Sequence, residues 1–340
     1  MSIILAVLAG LGLGYIIERG DLCFHSTLRG LFKWPKELYL FRAYLLAMVI
    51  AAPIVYGLRA LGLINPWIPP FVWQANLVGG LIFGVGMVVA ATCITGLFYK
   101  LGHGMLGTLV ALVTWSLGDW LTYRGPLWPL RTTLNAGQIS STDGQSATLL
   151  NLFGPVAGVG LAVLLAGAIA LWLWRSPQKP RSNYWGWGQL GLAVGIFTGL
   201  IWLLAQAGGS NYTYGTSGVP ANIVAAFTEG GQGGSLWIPV SLVSIIPGAF
   251  LAAKRSGTLW IRGETMQRYG ELAAGGLLMG VGAAIAGGCN LGHGLVGVPL
   301  LSMGSITTVV AMTIGVGLAD RAIKLFSAVR PEPLAMEGSG

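Results

Sequence analysis

Three cysteines, Cys23, Cys93 and Cys289, and three histidines, His25, His103 and His293, are the groups in this chain best suited to chemistry. Each cysteine ends a glycine-rich apolar run, and each histidine follows a cysteine closely. Small polar residues and glycines gather at the same places: Ser26 and Thr27 after Cys23, Thr92, Thr95 and Gly96 around Cys93, Asn290 and Gly292 after Cys289. Three readings compete. A free cysteine is often just a small core residue. Three Cys and three His could bind zinc or copper, but there is no C-x-x-C, no His-rich loop and no mid-span carboxylate, and the spacing does not make a compact site. Lastly, a thiol is both a weak donor and a weak acceptor, and in apolar surroundings it stays protonated. A neutral thiol can then offer a hydrogen to a soft, sulfur-bearing anion that a thiolate would repel. The histidines divide between helix caps or buried hydrogen-bonding groups on one side and anion contacts on the other.

The elements that position these groups lie in a bilayer. Only 9% of the 340 residues are charged and 54% are hydrophobic, against about 25% charged in soluble domains. That excludes a soluble enzyme, a nucleic-acid binder and a disordered chain. A spanning helix needs about 20 apolar residues, and nine runs qualify: 2–19, 40–62, 74–92, 104–123, 149–174, 187–207, 236–253, 271–288 and 304–326. The first is no cleaved signal peptide, since it lacks a basic start and an A-x-A site. Alternate loops hold 16 of the 19 basic residues, among them Arg29, Lys100, Lys179, Arg181, Lys254, Arg262, Arg268 and Arg330; the other side has Arg59, Arg124 and Arg131. By the positive-inside rule the N-terminus is expected outside and the C-terminus in the cytoplasm. Residues 336–340, M-E-G-S-G, read as an appended tail.

The sequence also repeats. Gly84, Val85, Gly86, Ala90 and Cys93 recur 196 residues later as Gly280, Val281, Gly282, Ala286 and Cys289. Leu101-Gly102-His103-Gly104-x-x-Gly107 is echoed by Leu291-Gly292-His293-Gly294-x-x-Gly297, and Gly10 and Gly14 by Gly191 and Gly195. Spans one to four thus match spans six to nine. An offset of five spans reverses the direction in the membrane, which predicts an inverted-topology repeat with the path between the halves. The expected architecture is an all-α integral membrane protein: a first repeat over 1–148, a connector helix and cytoplasmic loop over 149–185, and an inverted second repeat over 186–335. Cys23–Trp34, Cys93–Leu101 and Cys289–Pro299 are expected as short re-entrant helices or loops, since irregular backbone at membrane depth survives where it is buried in protein or lines a wet path. Followed along the spans, the thiols are expected in the order Cys289, Cys93, Cys23 from outside to inside.

The motifs D-L-C-F-H at 21–25, A-x-C-I-T-G at 91–96 and G-G-C-N-L-G-H-G at 287–294 resemble those of the YeeE/YedE family, in particular its thiosulfate-uptake branch, and the similarity covers most of the chain. The resemblance implies an inner-membrane importer that moves thiosulfate into the cytoplasm without nucleotide hydrolysis, with Cys23, Cys93 and Cys289 passing the ion along. It also implies a soluble, TusA-like sulfur-carrier protein docking on the basic loops, particularly 254–268. Other branches handle further sulfane-sulfur or selenium compounds. The physical case runs beside this. Bare burial of a dianion is very costly, and no mid-span Lys or Arg offsets it. Short-helix N-termini, backbone amides, thiols and Asn or Thr side chains remain as donors. Conduction needs weak successive sites, which thiols supply. A membrane-embedded sulfurtransferase using a cysteine persulfide is the alternative of a different class. No Walker or Rossmann motif and no carboxylate pair suggests an enzyme or a cofactor; Asp119 and Asp320 read as interfacial or Arg-paired, with proton coupling as a lesser role.

Overall fold

A computed structural model describes residues 2–140, 144, 146–177, 183–228 and 235–329. Lys179, Arg181, Arg330 and the tail at 336–340 lie outside the described residues. In chain order the helices are α1 (Ser2–Gly20), α2 (Phe24–Arg29), α3 (Tyr39–Ala60), α4 (Trp73–Ala90), α5 (Ile94–His103), α6 (Thr108–Tyr123), α7 (Trp128–Leu134), α8 (Leu149–Leu152), α9 (Pro155–Trp174), α10 (Trp187–Ala207), α11 (Val219–Thr228), α12 (Trp237–Ser256) and α13 (Met266–Ala286). A π-helical segment (Asn290–Gly297) follows, and α14 (Met303–Val329) is last. Extended pairing among the described residues is limited to isolated bridges such as Phe71 with Ile139. The protein is all-helical and multi-pass: among the described residues eight helices are long and apolar enough to cross a membrane. The remaining expected span, 104–123, is α6. Its 16 residues rise about 24 Å, because Gly104–Gly107 form a turn and not a first helical turn.

Glycine lets these helices meet backbone to backbone. A Cβ on Gly10 of α1 would fall 2.1 Å from Ser241 O of α12, and one on Gly14 would fall 2.2 Å from Ile245 O. On α10, Gly191 and Gly195 face Ala43, Leu46 and Ile50 of α3. The seam that joins α4 to α13 is reciprocal. Gly86 faces Gly275 O and Met279 N, while Gly282 faces Gly79 O and Phe83 N; each contact becomes the other on exchanging residues 196 apart. In the same way Gly84 meets Met312 O of α14, and Gly280 meets Trp115 O of α6. Helix α9 stands apart. It touches α3 and α8, and 11% of its apolar window is buried. A helix apolar all round with so little burial has lipid as its solvent.

Three long helices stop in one manner. Helices α1, α4 and α13 are followed by Asp21 (φ 49°), Ala91 (φ 46°) and Gly287 (φ 77°), all left-handed. Each such residue stands two places before a cysteine. A left-handed residue ends a helix by turning the next amide back on the last carbonyls, and for Asp21 and Ala91 it does so at a steric cost.

Candidate functional site

The three cysteines N-cap the three short elements that follow those breaks: Cys23 caps α2, Cys93 caps α5 and Cys289 caps the π-helical segment. All three are free and buried. The Sγ atoms of Cys23 and Cys93 are 3.6 Å apart, and Thr92 Oγ1 is 3.9 Å from Cys23 Sγ. Two amides converge on Cys93: Phe24 N–H, from the start of α2, and Gly96 N–H, from the first turn of α5, each donate to its sulfur at 3.3 Å. Leu291 N–H donates to Cys289 Sγ at 3.3 Å. The sulfurs of Cys93 and Cys289 thus sit in front of helix-start amides, the part of a helix that attracts anions.

The second cysteine motif meets the third across the bundle. Asn290 Nδ2 donates to Thr95 Oγ1 at 2.7 Å, while Asn290 Oδ1 is buried without a partner. A cavity of about 10 Å³ lies here, lined by Leu22, Phe24, Tyr44, Thr95, Asn290 and Leu295. A second of the same size lies beyond Leu295, beside Thr213 and Tyr214. Each has room for about one water. The expected row of three separate thiols therefore takes a different form: Cys23 and Cys93 make one station, and Cys289 makes another beyond Asn290. Gly96 sits against both thiols of the first, its ideal Cβ 3.2 Å from Cys23 Sγ and 3.5 Å from Cys93 Sγ. Gly292 faces Tyr212 Oη.

The histidines have three different places. His293 is held inside the protein: Nε2 donates to Ala286 O at 3.1 Å, and Nδ1 lies 2.9 Å from Ser305 Oγ. It thus takes the place of a buried hydrogen-bonding group at a helix end, one of the two readings its sequence allowed. His103 Nδ1 lies 2.6 Å from Glu18 Oε1, an ion pair that ties α5 to α1. His25 alone of the three has a buried nitrogen without a partner, Nε2, next to Cys23 in the chain. Asp320 is paired with Arg29 at 2.6 Å and Lys324 at 2.7 Å, as the sequence suggested. Asp119 is buried, and its Oδ1 accepts from Gly218 N–H. No group of three or more His, Cys, Asp or Glu able to hold a metal occurs among the described residues.

Other residues of the site carry little signal in the sequence. The four last carbonyls of α13 are all taken by side chains: Ser217 on Ala283, Arg131 on Ala284, Asn135 on Ile285, and Asn76 and His293 on Ala286. Arg268 donates to Val89 O and Ala90 O at the end of α4. The loop after α10 folds inward over the π-helical segment. Tyr212 Oη donates to Gly292 O at 3.0 Å, Tyr44 Oη donates to Gly294 O at 2.9 Å from the other side, and buried Thr216 lies against Cys289. Their signal was a Y-T-Y-G-T-S run of turn and hydroxyl residues between two spans.

A multi-pass helical bundle whose polar groups sit at helix breaks inside it suits a membrane transporter, and comparison with known proteins assigns it to that class. The chain matches the sequence profile described as Sulphur transport over residues 19–318, and it belongs to that family. It is 30% identical over 310 residues to the thiosulfate transporter TsuA of Spirochaeta thermophila, covering 88% of this chain and 92% of that protein. With the thiosulfate transporter TsuA of Escherichia coli the identity is 27% over 339 residues, 94% of each chain. A protein described as probable transporter YedE from Salmonella typhimurium is 29% identical over 163 residues, 47% of this chain and 38% of its own.

Proposed function

We propose that this protein imports thiosulfate across the bacterial inner membrane into the cytoplasm, along a path marked by Cys289 and then by Cys93 with Cys23. The observation that carries the reading is the pair of thiols 3.6 Å apart with two amides aimed at one of them. An anion arriving there can take the amide hydrogens now on Cys93 Sγ and the S–H hydrogens of both thiols. None of these donors is a full charge, so the ion is held weakly and can leave. A soft terminal sulfur suits thiols better than the oxygens of sulfate do. The residues that build the stations are Thr92, Thr95, Gly96, Asn290 and Gly292, with His25 beside Cys23. His103 and His293 act by fixing α5 and the end of α13. The names of the relatives, both TsuA proteins spanning nearly the whole chain, support this substrate.

The reciprocal glycine contacts favour an inverted repeat, 1–148 against 186–335, with α9 in 149–185 as the connector that reverses the second half. With the basic loops inside, the N-terminus is outside, the C-terminus is cytoplasmic and the Cys23–Cys93 station faces inward. The cationic loop at 254–268 on that side suits a TusA-like sulfur carrier that takes the ion on. The test is uptake of [35S]thiosulfate into proteoliposomes beside sulfate and selenite. Thiosulfate should be taken up selectively, and Cys93→Ala should abolish uptake. Equal transport of sulfate sinks the soft-sulfur argument, and unchanged uptake in Cys93→Ala rules out the thiol path. A mass gain of about 32 Da on a cysteine after exposure to thiosulfate would instead favour a persulfide-forming sulfurtransferase.

A further inference from the structure

Helices α4 and α13 each end just short of a cysteine, and each end is closed by an arginine from the opposite half of the chain. Arg268, at the start of α13, donates to Val89 O at 3.4 Å and to Ala90 O. Arg131, on α7, donates to Ala284 O at 3.0 Å and lies 4.1 Å over the ring of Tyr123. The two helix ends are counterparts, since Ala90 and Ala286, the last residues of α4 and α13, are 196 residues apart, with Arg131 reaching a carbonyl two residues before the end of α13. A helix C-terminus carries about half a negative charge. Two such ends therefore abut the very turns in which a sulfur dianion would have to rest, and they oppose the helix-start amides that attract it.

We infer that Arg131 and Arg268 are positioning residues for the transported anion, which cancel the negative ends of α13 and α4 without touching the ion. The inference rests on the reading of the cysteine stations as an anion path. Arg268 keeps a carboxylate nearby. Arg268 Nη1 is 2.7 Å from Glu271, which is 40% exposed. The charge on the Arg268 cap is thereby tempered, and the Arg131 guanidinium is covered by the Tyr123 ring, so the dianion is drawn to the turn without being trapped by an open cation.

Charge can be separated from capping. Arg→Gln keeps a donor for the carbonyl and loses the charge, Arg→Lys keeps the charge, and Glu271→Gln strengthens the charge on Arg268 while leaving its cap in place. Full-length variants in proteoliposomes are assayed for initial [35S]thiosulfate uptake over a range of concentrations. The same preparations in detergent are assayed for thermal stability and for stabilisation by added thiosulfate. The expected result is a KM raised about 5- to 10-fold in Arg131→Gln and Arg268→Gln, with maximal rate and thermal stability near those of the parent. Lysine should restore KM, and Glu271→Gln should lower it. Glutamine variants with unchanged KM and unchanged thiosulfate stabilisation would overturn the inference. So would a loss that follows thermal destabilisation and is not restored by lysine. If the parent protein binds thiosulfate but does not carry it, the uptake reading fails, and the binding titration alone decides the role of the arginines.

Discussion

Gly96 gives the sharpest test of where the anion passes. It lies in the first turn of α5, its N–H on Cys93 Sγ, and a methyl group there would lie 2.2 Å from Thr92 Oγ1 and 3.2 Å from Cys23 Sγ. In a helix, alanine is favoured over glycine by about 0.5–1 kcal/mol, whereas overpacking a tight interior costs about 1–3 kcal/mol. Thr92 can turn away, but it then loses its 3.9 Å contact with Cys23 Sγ. Gly96→Ala should therefore destabilise the protein by a net of about 1–2 kcal/mol, read as a drop in the midpoint of thermal unfolding. Uptake should fall further, by about 10-fold or more, since the methyl occupies the face that both thiols present and 1.4 kcal/mol lost from anion binding is already tenfold. Thr92→Ala supplies the control, because removing the hydroxyl clears the 2.2 Å clash but leaves the methyl against Cys23. The double variant Thr92→Ala/Gly96→Ala should regain stability in thermal unfolding and stay slow in [35S]thiosulfate uptake. Wild-type uptake in Gly96→Ala, or a double variant that recovers uptake together with stability, would refute the placement of the path at the thiol pair.

Oxidation by diamide, which accepts the two hydrogens as the thiols join, should link Cys23 to Cys93, stop uptake, and be reversed by dithiothreitol; Cys23→Ser should be insensitive, and peptide mapping by mass spectrometry checks the link. Gly282→Ala places a methyl 2.5 Å from Phe83 N, where main chain cannot yield, and should lower thermal stability by about 1–3 kcal/mol. Gly57→Ala, at a helical position with nothing within 4 Å, should raise it by about 0.5–1 kcal/mol in the same assay. Ala91→Gly relieves a left-handed alanine and should be neutral to stabilising by up to about 1 kcal/mol, while Gly287→Ala at the matching break should destabilise by a similar amount, both read from unfolding midpoints.

The spans were legible because solvent decides them: an apolar run of span length leaves a chain little choice in lipid, and every expected run holds a helix. The short helices were legible for a related reason, since the glycines and the cysteine at 91–96 and 287–294 interrupt runs that otherwise read as continuous. Contacts between distant residues were not. Nothing near Cys23 says that its sulfur meets Cys93, 70 residues on. Glu18 reads as the polar end of the first span until His103 is found on it. The histidines show the limit most clearly. His103 and His293 occupy matching places in an L-G-H-G motif, yet one forms an ion pair and the other caps a helix, because what each meets comes from another element. The arginines were legible as charges on loops and not as caps, since capping depends on which helix end a fold brings within reach.

The seam between α4 and α13 constrains how such a protein can move. Where glycine faces backbone over Gly79–Gly86 and Gly275–Gly282, there is no layer of side chains to flex, slide or re-pack, and parting the helices opens a void along the whole contact at once. The seam therefore behaves as a keel. Motion that admits an ion falls to what hangs from the keel: α5 and the π-helical segment, each joined to its long helix by a three-residue break. On the proposed path, a device built on those terms is a pair of shutters on a fixed frame, with a turnover expected to follow how often a short helix shifts and not the swing of one half of the protein against the other.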